Sequence, residues 1–485
     1  MPALQTGRSS LHFAPSPGHA LFASTAAPLT LVSGAAVGMY SVVRYDLWIV
    51  GCYVVLMLVL GATLYRGRPT RDSAPTTPGV PTVGRIGGAL ALAGTGLLVV
   101  TVPGFTYLPG PPAGVLRWTI CAAAVLAAAA VAAPCRHGPD VALAAAAAGY
   151  AATAAATIRL DPAPRIDVWY TLQGAADGLL HGQDMYAQTW VGPPGPMSTF
   201  TYLPWTGVLL APGRWLAGDV RWTLLIVTLC TAVLMRTLSD RRIAEATINR
   251  TVDTVRDRQN RIVAGRVSAA LLLLLPGTLT QVEQAWTEPL LLACLAGLVL
   301  ALTRGQGAVA VLLLALALAS KQHIALLLPV LAAWPRFGPR RGLAAAGLAG
   351  LLVLPWFVAG PAAIWHDTVQ YLVTFPPLRF ADTVYIAVLN ETGVRLPFWL
   401  TGAVVAGTVA GASVLVHRRN PEPGVLLRWC ALVLFAANLV NKQAFYNQYW
   451  LVAGLVLLSW AVPSASVAGS AGADVRDRPA GEQPL

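Results

Sequence analysis

Apolar residues along this chain gather into repeated blocks of roughly bilayer-crossing length, separated by short polar segments rich in arginine. Clear blocks run at 47–65, 86–102, 119–133, 141–158, 222–238, 267–282, 289–303, 342–358, 397–417, 425–440 and 449–463. Two shorter ones, 308–320 and 322–334, flank Ser320-Lys321-Gln322-His323, and 21–43 is a weaker further candidate. Several fall short of the ~20 residues a helix needs to cross hydrocarbon. The pattern predicts an all-α polytopic membrane protein with 13 or 14 transmembrane helices.

Arginine sets the expected sidedness. Arg66, Arg68, Arg71 and Arg85 mark one loop, seven arginines fill 239–266, Arg336, Arg340 and Arg341 mark a third, and Arg418 with Arg419 a fourth. By the positive-inside rule these loops are expected to be cytoplasmic. Threading then places the long loops 159–221 and 359–396 outside, together with the junctions 283–288, 320–323 and 441–448. The tail from 464 is expected to be cytoplasmic and disordered. The first 20 residues lack the basic start and apolar core of a cleaved signal peptide. The expected organisation is N-terminal transmembrane helices over 1–140, a membrane core over 141–463 and the tail 464–485.

Composition narrows the classes. With 56% hydrophobic and 11% charged residues, the chain matches neither a soluble domain nor a disordered one. The excess of 33 basic over 21 acidic residues sits largely in short loops, which points to membrane lipid rather than nucleic acid as the partner. Heavy use of Arg, Ala, Gly and Pro fits a GC-rich bacterial genome, and hence a bacterial plasma membrane. The six cysteines are scattered without metal-ligand spacing, and no Asp-x-Asp pair occurs, so no metal or cofactor is expected. A phosphate-cradling glycine loop followed by Lys-Ser/Thr is absent, which argues against ATP-driven transport.

The first outer loop carries the densest signal. It opens Arg159-Leu160-Asp161-Pro162-Ala163-Pro164-Arg165-Ile166-Asp167-Val168-Trp169-Tyr170. Its prolines then stop, and Asp167 starts a predicted helix to about 181. On that helix Trp169, Leu172, Ala176, Leu179 and Leu180 share one side, and Tyr170, Gln173, Asp177 and His181 the other. Such a helix suits the membrane interface, apolar side down. Gly182-Gln183-Asp184-Met185-Tyr186 follows as a turn, and Phe200-Thr201-Tyr202-Leu203-Pro204-Trp205 leads back into apolar sequence.

In this order the motifs resemble the polyprenyl-phosphate-mannose-dependent mannosyltransferases, glycosyltransferase family 87 of the GT-C membrane glycosyltransferases, most densely over 141–238. Two departures are Met185, where the family pattern has Pro before Tyr, and Tyr-Leu-Pro in place of Tyr-Pro-Pro. The resemblance implies a GT-C-like bundle with a catalytic core over 141–463. It also implies transfer of a sugar, mannose in that family, from a polyprenyl-phosphate donor to an envelope lipid or glycan acceptor on the outer face. The general base would be at the matching position, Asp167.

The residues allow the same chemistry independently. Glycosyl transfer from a lipid phosphate needs a base for the acceptor hydroxyl and cations for the departing phosphate. The chain's two lysines, Lys321 and Lys442, both lie at expected outer span ends and both precede glutamine. With His323 and Arg165 they are the candidate phosphate ligands. Tyr170, Asp177, Asp184, Tyr202, Gln284, Glu288, Gln443, Tyr446 and Asn447 are candidates for sugar or acceptor contacts. Plainer roles compete: a helix N-cap for Asp167, a solvated helix face for Asp177, a turn for Asp184, snorkelling for the lysines and an interfacial belt for the aromatics. The competing function is a transporter or flippase for a lipid-linked or small solute. That reading calls for ionisable groups at mid-bilayer and a repeated half, whereas the acids here avoid span centres.

Overall fold

The structure, a computed structural model, describes residues 17–66, 80–195, 198–240 and 255–462. Arg68, Arg71, Arg241, Arg242, Arg250 and the tail from 464 lie outside the described residues, as do the side chains of Arg256 and Arg258.

The described residues form an all-α polytopic fold, as the hydrophobic pattern predicts. Among the described residues eight helices are long and apolar enough to cross a membrane, fewer than the 13 or 14 expected, and four further apolar helices are shorter. Numbered in chain order, the first helices are α1 (Pro17–Tyr40), α2 (Leu47–Arg66), α3 (Val80–Thr101), α4 (Gly110–Ala132) and α5 (Gly138–Leu160). They are followed by α6 (Asp167–Leu180), α7 (Pro204–Ala217), α8 (Arg221–Ser239) and α9 (Val255–Leu274). Next come α10 (Thr278–Glu283), α11 (Glu288–Thr303), α12 (Gly307–Leu318), and a 3-10 turn (Gln322–Leu327) running into α13 (Leu328–Ala333). The chain continues through α14 (Gly338–Ala359), α15 (Pro361–Trp365), α16 (Tyr371–Thr374), α17 (Val384–Thr392), α18 (Phe398–Arg419), α19 (Pro423–Val440) and α20 (Tyr446–Ala461).

One block is not continuous. The apolar run 267–282 breaks after Leu274, because Pro276 has no amide hydrogen to extend the helix and Gly277 turns left-handed at φ +86°. The turn brings Gly277 against Tyr446, whose hydroxyl donates to the Pro276 carbonyl. A Cβ at Gly277 would lie 2.1 Å from the Tyr446 ring.

One apolar core runs from Val32 to Val462, so the first four helices pack into the same bundle as the rest. Within it α3, α4 and α5 pack in sequence, and α9 is wedged between α3, α5, α8 and α20. Gly88 against Val267 and Gly96 against Ala124 let α3 approach its neighbours closely. Without a hydrophobic drive between helices in lipid, such contacts supply much of the attraction.

The two ends of the bundle differ in chemistry. At one end Arg266 bridges Asp140 and Asp240, Arg336 holds Glu422, Arg85 caps the carbonyls of Val131 and Cys135, and Arg419 caps that of Leu64. At the other, the loops after α1, α3, α5, α10, α12, α14 and α19 meet one another.

Gly277→Ala is expected to lower the melting temperature of the purified protein by several degrees, since both the φ value and the ring of Tyr446 oppose it. Gly347→Ala, in mid-helix with nothing near its Cβ, should leave the melt unchanged or slightly raised.

Candidate functional site

At the loop-rich end, segments from Val42 to Gln448 enclose a cavity of about 370 Å3, within the range of small-molecule sites. Its deepest feature is built at a break in the fold. After α12 the chain straightens at Lys321 (φ −149°, ψ 129°), and the segment entering α7 docks on the carbonyls this exposes. Leu203 N–H donates to Ser320 O at 3.1 Å, Trp205 N–H to Ala319 O at 3.2 Å, and Thr206 Oγ1 to Ser320 O at 2.6 Å. Gln322 Nε2 answers by donating to Thr201 O at 2.8 Å.

Lys321 is thereby held with Nζ 2.5 Å from Glu288 Oε1 and 3.1 Å from Thr287 Oγ1, above the ring of Tyr202. Asn447 Nδ2 donates to the same Glu288 oxygen at 2.8 Å. The Glu288 side chain is fully buried and that of Lys321 is 12% exposed. Three helix starts are tied here, and the Lys321 charge is already balanced by a carboxylate.

Asp167 is the first residue of α6, one place inside the capping position held by Ile166. Its Oδ1 accepts from the Val168 N–H at 2.8 Å, and the residue is 5% exposed on the cavity wall. The loop at Gly195 (φ +104°) closes over it, so that a Cβ there would sit 3.0 Å from Asp167 Cγ. The helix is pinned from behind. Trp169 Nε1 donates to Asp219 Oδ2 at 3.1 Å, Arg221 pairs with Asp219 at 2.7 Å and donates to the Asp161 carbonyl at 2.6 Å, and Gln173 bridges Gly218 and Val220.

Arg165 and Lys442 also line the cavity. Lys442 Nζ donates to the carbonyls of Val373 (2.7 Å) and Phe375 (2.5 Å), and partial burial lowers its pKa. Among the described residues neither cation forms a salt bridge with a carboxylate. His323, Gln284, Gln443, Tyr202 and Asn447 complete the predicted residues on the wall. Gln284 Nε2, His323 Nε2, Asn447 Oδ1 and Gln448 Oε1 are buried without a partner among the described residues. Such atoms are costly in isolation and mark a polar surface for a ligand. Ala285, at φ 52°, is the strained residue of the turn that aims Gln284 and Trp286 inward.

Other predicted contacts lie elsewhere. Asp177 is held by Arg214 at 2.7 and 2.9 Å, and the Tyr170 hydroxyl donates to Val191 O. Asp184 caps its own turn through the Tyr186 N–H, and Tyr446 points into the core at Pro276. Glu288 reaches the site only through Lys321 and Asn447. The α6 faces also differ from the predicted split. Gln173 and Thr171 are buried with Leu172, Ala175 and Ala176 against α7, while Leu180 is exposed, because a protein partner occupies the face assigned to lipid.

Phe105 and Tyr107 were not foreseen. Their loop is drawn in by Glu283, which accepts from Thr106 Oγ1 at 2.5 Å and Tyr107 N–H at 2.9 Å. Burial pushes the Tyr107 phenol up to about 12, with Asp167 adding to the shift, so it stays a proton donor. No protein-family model matches this chain, and no curated protein matches it in sequence.

Two measurements probe this arrangement. Lys321→Met strands the buried Glu288 and is expected to cost about 3–5 kcal/mol of stability. The double variant Lys321→Met/Glu288→Met should recover much of that, and a cycle of thermal melts reads the coupling. Asp382, two residues after the cavity-lining Phe380, accepts from the Asp46 N–H at 3.1 Å, and burial raises its carboxyl from 3.8 to about 7. A raised acid pKa favours the fold below the unfolded value, and that contribution fades between pH 4 and 7. Asp382→Asn is therefore expected to flatten the melt over that window and to melt above the parent at pH 8.

Proposed function

We propose that the chain is a membrane glycosyltransferase of GT-C type that takes a sugar, with mannose implied by the resemblance, from a polyprenyl-phosphate donor to an envelope lipid or glycan acceptor on the outer face. The observation that carries the reading is one cavity holding the buried Asp167 carboxylate, the cations Arg165 and Lys442, and buried amide atoms of Gln284, Asn447 and Gln448 that have no partner among the described residues.

The step follows from those groups. An acceptor hydroxyl oxygen attacks the anomeric carbon and its proton passes to Asp167. The bond from that carbon to the phosphate oxygen breaks, the electron pair leaves with the polyprenyl phosphate, and configuration inverts. Arg165 and Lys442 stabilise the charge growing on the leaving group. Lys321, neutralised by Glu288, places Asn447 and Tyr202 rather than serving as the main phosphate ligand. Tyr107 and Tyr202 offer protonated phenols and aromatic faces to the sugar.

In membranes supplied with labelled polyprenyl-phosphate sugar, Asp167→Asn is expected to reduce transfer by about 100- to 10,000-fold, the usual worth of a positioned base. Equal turnover in a folded variant removes Asp167 from the mechanism. Passage of intact lipid across proteoliposomes with no new glycosidic bond would favour the transporter reading instead.

A further inference from the structure

A second groove, of about 430 Å3, opens on the flank of the bundle between α1, α2, α19 and α20. It follows α20 from Tyr446 to Trp460, and its walls are aliphatic and aromatic, with Leu56, Phe435, Trp450 and Val456 among them. One permanent cation interrupts that lining. Arg428 sits on the groove between one and two turns into α19, toward the arginine end of the bundle. Its Nε reaches the Gly424 carbonyl at 3.5 Å, too long for a strong hydrogen bond.

Among the described residues no carboxylate pairs with it. Asp140 and Asp240 are held by Arg266, and Glu422 by Arg336. A guanidinium does not lose its proton, so a charge this far into apolar surroundings calls for an anion from outside the chain. At that depth the bilayer offers lipid phosphate, and basic pockets between transmembrane helices bind such headgroups. The occupant must be apolar along the helices and anionic at the arginine end. A donor lipid with its phosphate beside Asp167 would have its headgroup at the opposite end.

We propose that this groove binds an anionic diacyl phospholipid, with its chains along the aromatic wall and its phosphate on Arg428. The site does not depend on the transfer reading.

The test uses the purified full chain in detergent micelles doped with phosphatidylglycerol or phosphatidylcholine, with melting curves and native mass spectrometry of retained lipid. Phosphatidylglycerol is expected to raise the melting temperature by several degrees over phosphatidylcholine and to remain as an adduct. Arg428→Gln should abolish that difference, and Arg428→Lys should keep part of it. Ala453→Trp, which fills the groove and leaves the charge in place, should also abolish it; this variant carries the test if Arg428→Gln does not fold. Equal melting in the two lipids, or a preference that survives both Arg428→Gln and Ala453→Trp, overturns the site. So does protection by polyprenyl phosphate alone that is lost in Arg428→Gln, which would give the groove to the donor lipid.

Discussion

The ion pair between Lys321 and Glu288 is the contact on which the site's geometry rests. Each charge alone would be expensive where it sits, since the Glu288 side chain is fully buried and the Lys321 side chain nearly so. Together, with Asn447 on the same carboxylate oxygen, they fasten the starts of α11 and α20 to the break after α12. The same break presents the carbonyls on which the Phe200–Trp205 stretch docks. That docking sets Tyr202 and Thr201 on the cavity wall. A buried pair contributes little net stability, but losing one partner is severe, and it therefore serves position more than strength.

Short helices explain why such a site is recessed. Twelve residues of α12 span about 18 Å at 1.5 Å per residue, well below the ~30 Å of a hydrocarbon core. The segment Gln322–Ala333 that returns from it is equally short. The turn at Ser320 and Lys321 therefore lies below the level reached by its longer neighbour α14. Irregular backbone at that depth is tolerated only where protein satisfies it or a polar cavity abuts it. Both conditions hold here: Leu203, Trp205 and Thr206 cover the carbonyls on one side, and the cavity lies on the other.

What the sequence made legible follows from the cost of charge in apolar surroundings. Asp167 and Arg165 stood out in the first outer loop, and Lys321, His323 and Lys442 at expected outer span ends flanked by apolar blocks, and all five line one cavity. The helical blocks were legible for the same reason, up to the Pro276-Gly277 break. Long-range partners were not legible. Arg214 lies 37 residues from Asp177 and removes it from the site, while Glu283 reaches back 177 residues to Thr106 to bring Tyr107 in. Tyr446, a candidate sugar or acceptor contact by its place in the sequence, instead fills the space that Gly38 and Gly277 leave beside it. Local pattern carries no information about such pairings, because they are decided by which helices touch.

The two ends of the bundle divide the work of charge. At the arginine end Arg266 and Arg336 take up Asp140, Asp240 and Glu422, while Arg85 and Arg419 cap helix carbonyls and leave positive charge in excess. That excess is what the positive-inside rule reads, and it would draw anionic headgroups to the flank where Arg428 sits. At the cavity end cations are instead consumed one by one: Arg214 by Asp177, Arg221 by Asp219, Lys321 by Glu288. Of the cations that line the cavity, Arg165 and Lys442 form no such pair among the described residues, and Asp167 is the carboxylate in the same lining. A lipid phosphate in the cavity would therefore meet a small, directed positive charge rather than a broad field. Directed charge of that kind can stabilise a leaving group without holding every anionic lipid that drifts past.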